Sequence, residues 1–307
     1  MKEKSYGLAL SLLRIALGLI LIFQAISIAP SLYDFYGEFG IMQSAISDYL
    51  ATGSFVPSMS SVQNTLSWFH LHRDEVVTLI FYLYLIACAF FTIGLYTSLA
   101  SVMTFLLHLI LLSSNRASTY GVDHYLHFAL FYYIFPGVGR LLSFDEGLKL
   151  REDHKNVMNS LVLKWMKIHF ALTYFAAGLG KISGEQWRGG EAIWRSLMLP
   201  EYQFYDFSFL SQYHFVGLFL CWWTMVIELF YPLFMLMNRK VALLCLSQVI
   251  LMHLGIIVFM KLYYFGLVMI VLNLFLFVLR EKDILHFMEK KTKDPGVLGL
   301  IARKHLV

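Results

Sequence analysis

Apolar residues along this chain come in long runs interrupted by short polar clusters, and the runs are too long for the half-buried helices of a soluble domain. From Leu8 the chain is apolar for about twenty positions around a single Arg14, and seven later stretches repeat the plan. A helix needs roughly 20 such residues to cross a bilayer core. The pattern therefore predicts membrane helices over 8–29, 76–94, 98–113, 122–142, 160–180, 215–237, 240–259 and 261–280. The expected fold class is all-α, a polytopic membrane protein with about eight transmembrane helices in one bundle.

The polar clusters orient the bundle. With the N-terminus inside, the segments on that side hold 18 of the 24 Lys and Arg residues. Basic residues mark the cytoplasmic face, so both termini are expected there. The division is a transmembrane domain over 1–285 and a basic cytoplasmic tail over 286–307. The first helix is expected to be retained rather than cleaved as a signal peptide, because its run is long and holds Arg14. In the outer loop 30–75, "DFYGEFGIMQSAISDYL" predicts a short interfacial helix.

Composition strengthens the membrane reading: 59% of residues are hydrophobic, 14% are charged, and the mean hydropathy is +0.66. The net charge of +4 is spread by membrane side, so no nucleic-acid partner is implied. Cys88, Cys221 and Cys245 each stand alone in an apolar run, which argues against a disulfide framework or a zinc site. Neither a phosphate-binding G-x-x-x-x-G-K-[ST] loop nor a G-x-S-x-G elbow is present.

Ionisable groups are expensive in hydrocarbon, so each raises a functional question. Those in or beside the apolar runs are Arg14, His108, Asp123, His124, His127, His169, Lys181, Glu228 and His253, with Gln248 as a polar companion. On the expected topology "GVDHYLHF" and "GLGKISG" share one membrane face, on consecutive helices that pack side by side by default. A lysine base acts as a neutral amine, and Lys181 near the Asp123–His124 pair is a proton-transfer set. Structural readings stand beside this one. Lys181 is placed to snorkel, Arg14 and Glu228 to form a buried pair, His108, His169 and His253 to hydrogen-bond across helices, and Asp123 to cap its helix. His124 and His127, three apart, also suit a metal or, with a third histidine, a haem, although no dedicated metal site is expected. Arg116 and Arg188 are candidates for anion or substrate contacts.

The stretch "YFAAGLGKISGEQWRGGEAI" resembles the segment of the vitamin K-dependent gamma-glutamyl carboxylases in which Tyr-Phe-x-Ala-Gly precedes a lysine, a Trp and a Gly. In chain order, "LLRIALGLILIFQ", "GVDHYLHFALFYYIFPGVGRLLSFD" and "MVIELFYPLFMLMNRK" with "MHLGIIVFM" are similar to further parts of that family. The chain thus resembles a stand-alone horizontally transferred transmembrane (HTTM) domain. The resemblance implies that Lys181 is a base toward reduced vitamin K or menaquinol, with His124 and Asp123 as its proton partners. Trp187, Arg188, Arg116, Glu228, His253 and His127 are the candidates for contact with the quinol or substrate. The carboxylases continue into a large soluble region with no counterpart in these 307 residues, and Gly180 stands where the family often has a second lysine.

The expectation is a carboxylase- or epoxidase-like, quinol-linked enzyme of a bacterial inner (plasma) membrane. It would act at an outward pocket on an exported peptide or a lipid-soluble substrate, with the bilayer and partner membrane proteins around it. Two alternatives are a non-catalytic factor for maturation or export of a secreted peptide toxin, like the sporulation-delaying toxin group of short bacterial relatives, and a haem or metal electron carrier. The first reading expects the Lys181 amine in a pocket within reach of His124.

Overall fold

The computed structural model describes residues 2–41, 46, 56–115, 119–147 and 157–278. Arg116, the tail 286–307 and about half of the stretch expected to form the interfacial helix lie outside these residues; its beginning falls in a short helix, Leu32–Tyr36. Among the described residues every long element is helical: α1 Lys2–Ile28, α2 Arg73–Ile93, α3 Thr97–Ser114, α4 Gly121–Tyr133, α5 Val157–Ser183, α6 His214–Leu236, α7 Arg239–Met260 and α8 Tyr263–Asn273. These coincide in place with the eight expected segments. Five spans are long and apolar enough to cross a membrane: Tyr6–Tyr36, Arg73–Ile93, Thr97–Ser114, His214–Leu236 and Arg239–Met260.

The other three helices have local reasons for falling short. The apolar run behind α4 reaches residue 142, but Pro136 cannot continue a helix and Gly137 and Gly139 take φ of 83° and 68°. The helix therefore stops at Tyr133 and the chain turns. Helix α5 is long but carries Lys164, Lys167 and Lys181. After Asn273, α8 widens into a π-helical turn over Leu274–Val278.

The bundle buries several polar groups and leaves many large apolar side chains exposed. Arg14, His108, Glu228, His253 and Asn273 are buried, whereas Phe23, Leu99, Phe215, Phe219 and Leu244 are each at least 60% exposed. Lipid tails are as apolar as leucine, so burying leucine gives little drive to pair helices; close packing and hydrogen bonds hold them. Helix α1 packs against α2, α5 and α8. Its Leu10, Leu13, Leu17 and Leu21 are fully buried, as one helical stripe at spacings of three and four predicts.

Arg14 lies on that buried helix, and its partner corrects one expectation. It does not pair with Glu228. Its guanidinium donates to the carbonyls of Phe91, Thr92 (2.8 Å), Gly139 (3.0 Å) and Leu142 (2.6 Å). Phe91 and Thr92 close α2, where the last carbonyls have no donor of their own and carry the negative end of the helix dipole. One planar fork thus ties α1 to the end of α2 and to the turn after α4.

Candidate functional site

Helices α5 and α6 share the most extensive helix–helix contact in the bundle, and Gly178 permits it. A Cβ at Gly178 would stand 2.4 Å from the Leu229 amide nitrogen and 2.7 Å from its Cα. The two backbones therefore touch. Three residues further along α5, on the same face, Lys181 meets Glu228: Nζ lies 2.5 Å from Oε2. The Glu228 side chain is 7% exposed and that of Lys181 22%. Pro232, four residues after Glu228, withdraws the amide that a regular helix would offer to the Glu228 carbonyl.

Glu228 is fourteen residues into α6, about 21 Å along its axis at a rise of 1.5 Å per residue. The N-terminal half of α6 is consequently flanked not by α5 but by the connection that follows it. Short helices Glu185–Arg188 and Ala192–Leu197 lie there. Gly190, at φ 83°, packs its backbone on Leu218, and the Trp222 indole donates to the Arg188 carbonyl at 3.2 Å. Trp187 sits over the pair, its ring centre 5.1 Å from Lys181 Nζ, in cation–π range. Arg188 turns back to donate to the carbonyls of Ile182 (2.8 Å) and Ser183 (3.1 Å) at the end of α5. It closes a helix terminus here; whatever else it contacts must share the guanidinium.

Inward from the pair runs a hydrogen-bonded cluster. The Tyr174 hydroxyl and His253 Nε2 are 3.0 Å apart, Asn273 Nδ2 donates to the Tyr174 hydroxyl (2.9 Å), and the Tyr231 hydroxyl donates to Asn273 Oδ1 (2.8 Å). The Tyr174 and Tyr231 rings stack at 4.3 Å. Four helices, α5 to α8, meet in this cluster, and His253 Nδ1 is buried with no hydrogen-bond partner among the described residues.

The residues expected around helix 4 sit elsewhere. Asp123 accepts from Gln24 Nε2 (2.7 Å) and from the Tyr120 amide (3.0 Å), so it caps α4 and binds it to α1. His127 and His108 face one another with Nδ1 atoms 3.4 Å apart, and Phe105 stacks on His127 at 4.3 Å. The two histidines face one another as the electron-carrier reading requires, but their Nδ1 atoms contact each other directly and their rings stack 5.5 Å apart, so a haem plane between them requires them to separate. His169 meets the Tyr132 hydroxyl at 3.3 Å. All three lone histidines thus hydrogen-bond across helices. Helices α4 and α5 are neighbours, through Tyr132–His169 and Tyr125–Phe170. His124 is exposed, and among the described residues no hydrogen bond joins Lys181 to His124 or Asp123.

Sequence reasoning missed Gly178, Gln24 and Asn273. The two amides carried a legible signal, since "IFQAI" and "VLNLF" each place a polar side chain inside an apolar run. Gly178 had none, because a close approach depends on the partner helix. Comparison with known protein families, curated proteins and solved structures finds no match for this chain.

Proposed function

We propose that the chain is a membrane-embedded enzyme in which Lys181 acts as a base on a lipid-soluble quinol, with Glu228 as the group that shares its proton. The observation that carries the reading is the Lys181–Glu228 contact, largely buried and edged by Trp187. In a low-dielectric interior, moving one proton from Nζ to Oε2 replaces two charges by a neutral amine and a neutral acid. The neutral amine is the form that accepts a proton from a phenolic O–H. An amine partly exposed beside an indole face also fits a quinol, which needs a hydrogen-bond acceptor and a flat surface to lie on. When bound, reduced vitamin K or menaquinol would supply the redox chemistry; the protein's own residues position it and hold the proton.

In this reading the eight helices form one bundle in the inner (plasma) membrane with both termini cytoplasmic, as the division of basic residues favours. The resemblance to HTTM domains supports the same assignment and extends the product to an exported peptide or a lipid-soluble substrate. The test is menaquinol oxidation under oxygen by purified protein, with quinone epoxide quantified, for wild type and Lys181→Ala at matched folding. The expected result is epoxide from wild type and a loss of at least about 100-fold in the variant, the scale of a removed general base. Equal rates, or no turnover of any quinol by wild type, would overturn the proposal.

A further inference from the structure

A second polar site lies away from Lys181, where α1 ends. The start of α4 and the end of α3 leave a cavity of about 210 Å³, lined by Gln24, Tyr36, His108, Tyr120, Asp123 and Tyr264 among others. A recess of about 40 Å³ continues from it past His108. Tyr264 closes one side by donating to the Phe23 carbonyl at 3.0 Å.

The electrostatics of this cavity are one-sided. Asp123 is its only carboxylate among the described residues, and both oxygens accept from neutral N–H donors, Gln24 and Tyr120. No lysine or arginine lines the cavity among the described residues. Aromatic rings form much of the remaining wall: Phe35, Tyr36, Tyr120 and Tyr264. A partly buried carboxylate with no cationic partner among the described residues favours a nearby cation, and aromatic faces attract cations. A hard metal ion is a poor occupant, because calcium takes six to eight oxygen ligands and this site offers one carboxylate.

We propose that this cavity binds a small organic ammonium group, held by Asp123 and by the faces of the surrounding tyrosines. The ligand is of ethanolamine or choline type, either free or as the headgroup of a membrane lipid. The cavity lies beside the Ala29–Ser31 turn at the end of α1, and the test below separates the two sources. The site is independent of the Lys181–Glu228 pair on which the proposed function rests, and Asp123 makes no hydrogen bond to Lys181 among the described residues.

The test titrates full-length purified protein calorimetrically with tetramethylammonium, choline and 3,3-dimethylbutan-1-ol, the uncharged isostere of choline. Both ammonium compounds are expected to bind, and the alcohol at least about tenfold more weakly. Asp123→Asn keeps an oxygen for the cap and should lose the preference for charge; Tyr36→Leu keeps the apolar wall and should weaken choline several-fold. Repeating the choline titration in nanodiscs separates the sources. Competition by phosphatidylethanolamine but not by phosphatidylglycerol identifies a lipid headgroup, and equal binding in both identifies a free amine. Binding of the alcohol as tight as choline, no binding of either ammonium compound, or an unchanged preference in a folded Asp123→Asn protein would each overturn the proposal.

Discussion

Lys181 Nζ and Glu228 Oε2 stand 2.5 Å apart across the contact between α5 and α6, with only an edge of the lysine open. A pair so placed is expensive to break and cheap to replace. Removing one partner strands the other charge, at about 3–5 kcal/mol in buried pairs, whereas exchanging both for apolar residues is often neutral. Because Lys181 keeps partial access to solvent, Glu228→Ala should cost about 3 kcal/mol. The double variant Lys181→Met with Glu228→Leu should cost less than that single change. Chemical unfolding in detergent micelles, run as a double-mutant cycle, checks this; additive effects would mean that the two residues are not coupled.

The depth of that contact depends on Gly178. A methyl group there meets backbone atoms of Leu229 and Glu228 rather than a flexible side chain, so the helices must part. Gly178→Ala should therefore destabilise by about 1–3 kcal/mol, the usual cost of overpacking. Gly180→Ala meets nothing within 4 Å and should be neutral or slightly stabilising. Melting temperatures of the two variants, measured side by side, decide it. Equal shifts would show that the close approach contributes nothing.

The positions of the helices were legible in the sequence, and their partners were not. Apolar runs marked where α1 to α8 lie, and five of the resulting spans reach the length and hydropathy needed to cross a bilayer. The end of α4 was misplaced by nine residues' worth of apolar sequence, since hydropathy is blind to the turn made by Pro136, Gly137 and Gly139. Lys181 and Glu228 were both singled out, but as separate puzzles, because pairing depends on the register of α5 against α6. The same ignorance of register set Arg14 against Glu228, when carbonyls at the end of α2 were its true acceptors. Backbone groups carry no residue letter, so a guanidinium bound to carbonyls leaves no pattern to read.

Arg14 tests how much that carbonyl cluster matters. Arginine presents five donors in a fixed fork, and lysine presents a point charge. Arg14→Lys keeps the charge but cannot reach Gly139, Leu142 and the α2 carbonyls together, and should cost about 2 kcal/mol. Arg14→Leu leaves several buried acceptors unmet, each a penalty of about 1–3 kcal/mol, and should prevent accumulation of folded protein. Size-exclusion profiles and melting curves order the three proteins. A leucine variant as stable as wild type would show that water replaces the guanidinium.

Asp145 offers a pH test outside the membrane-spanning helices. Its carboxylate accepts from the Tyr96 amide (2.7 Å), the Thr97 amide (2.7 Å) and the Thr97 hydroxyl (2.8 Å), and so caps the start of α3. Burial by itself would raise its pKa, but the hydrogen bonds from Thr97 and Tyr96, with the charge of Arg140, hold it below the ordinary aspartate value. A carboxyl depressed on folding adds stability that is complete above the unfolded value, near 4, and is lost as pH falls through the lower folded value. Asp145→Ala should cost about 1 kcal/mol at neutral pH, the usual worth of an N-cap. Asp145→Asn retains an acceptor but no charge, so its stability should fall less steeply than wild type as the medium is acidified below about pH 4. Melting temperature against pH for the three proteins reads both effects. Identical acid limbs for wild type and the asparagine variant would mean that Asp145 keeps its ordinary pKa in the fold.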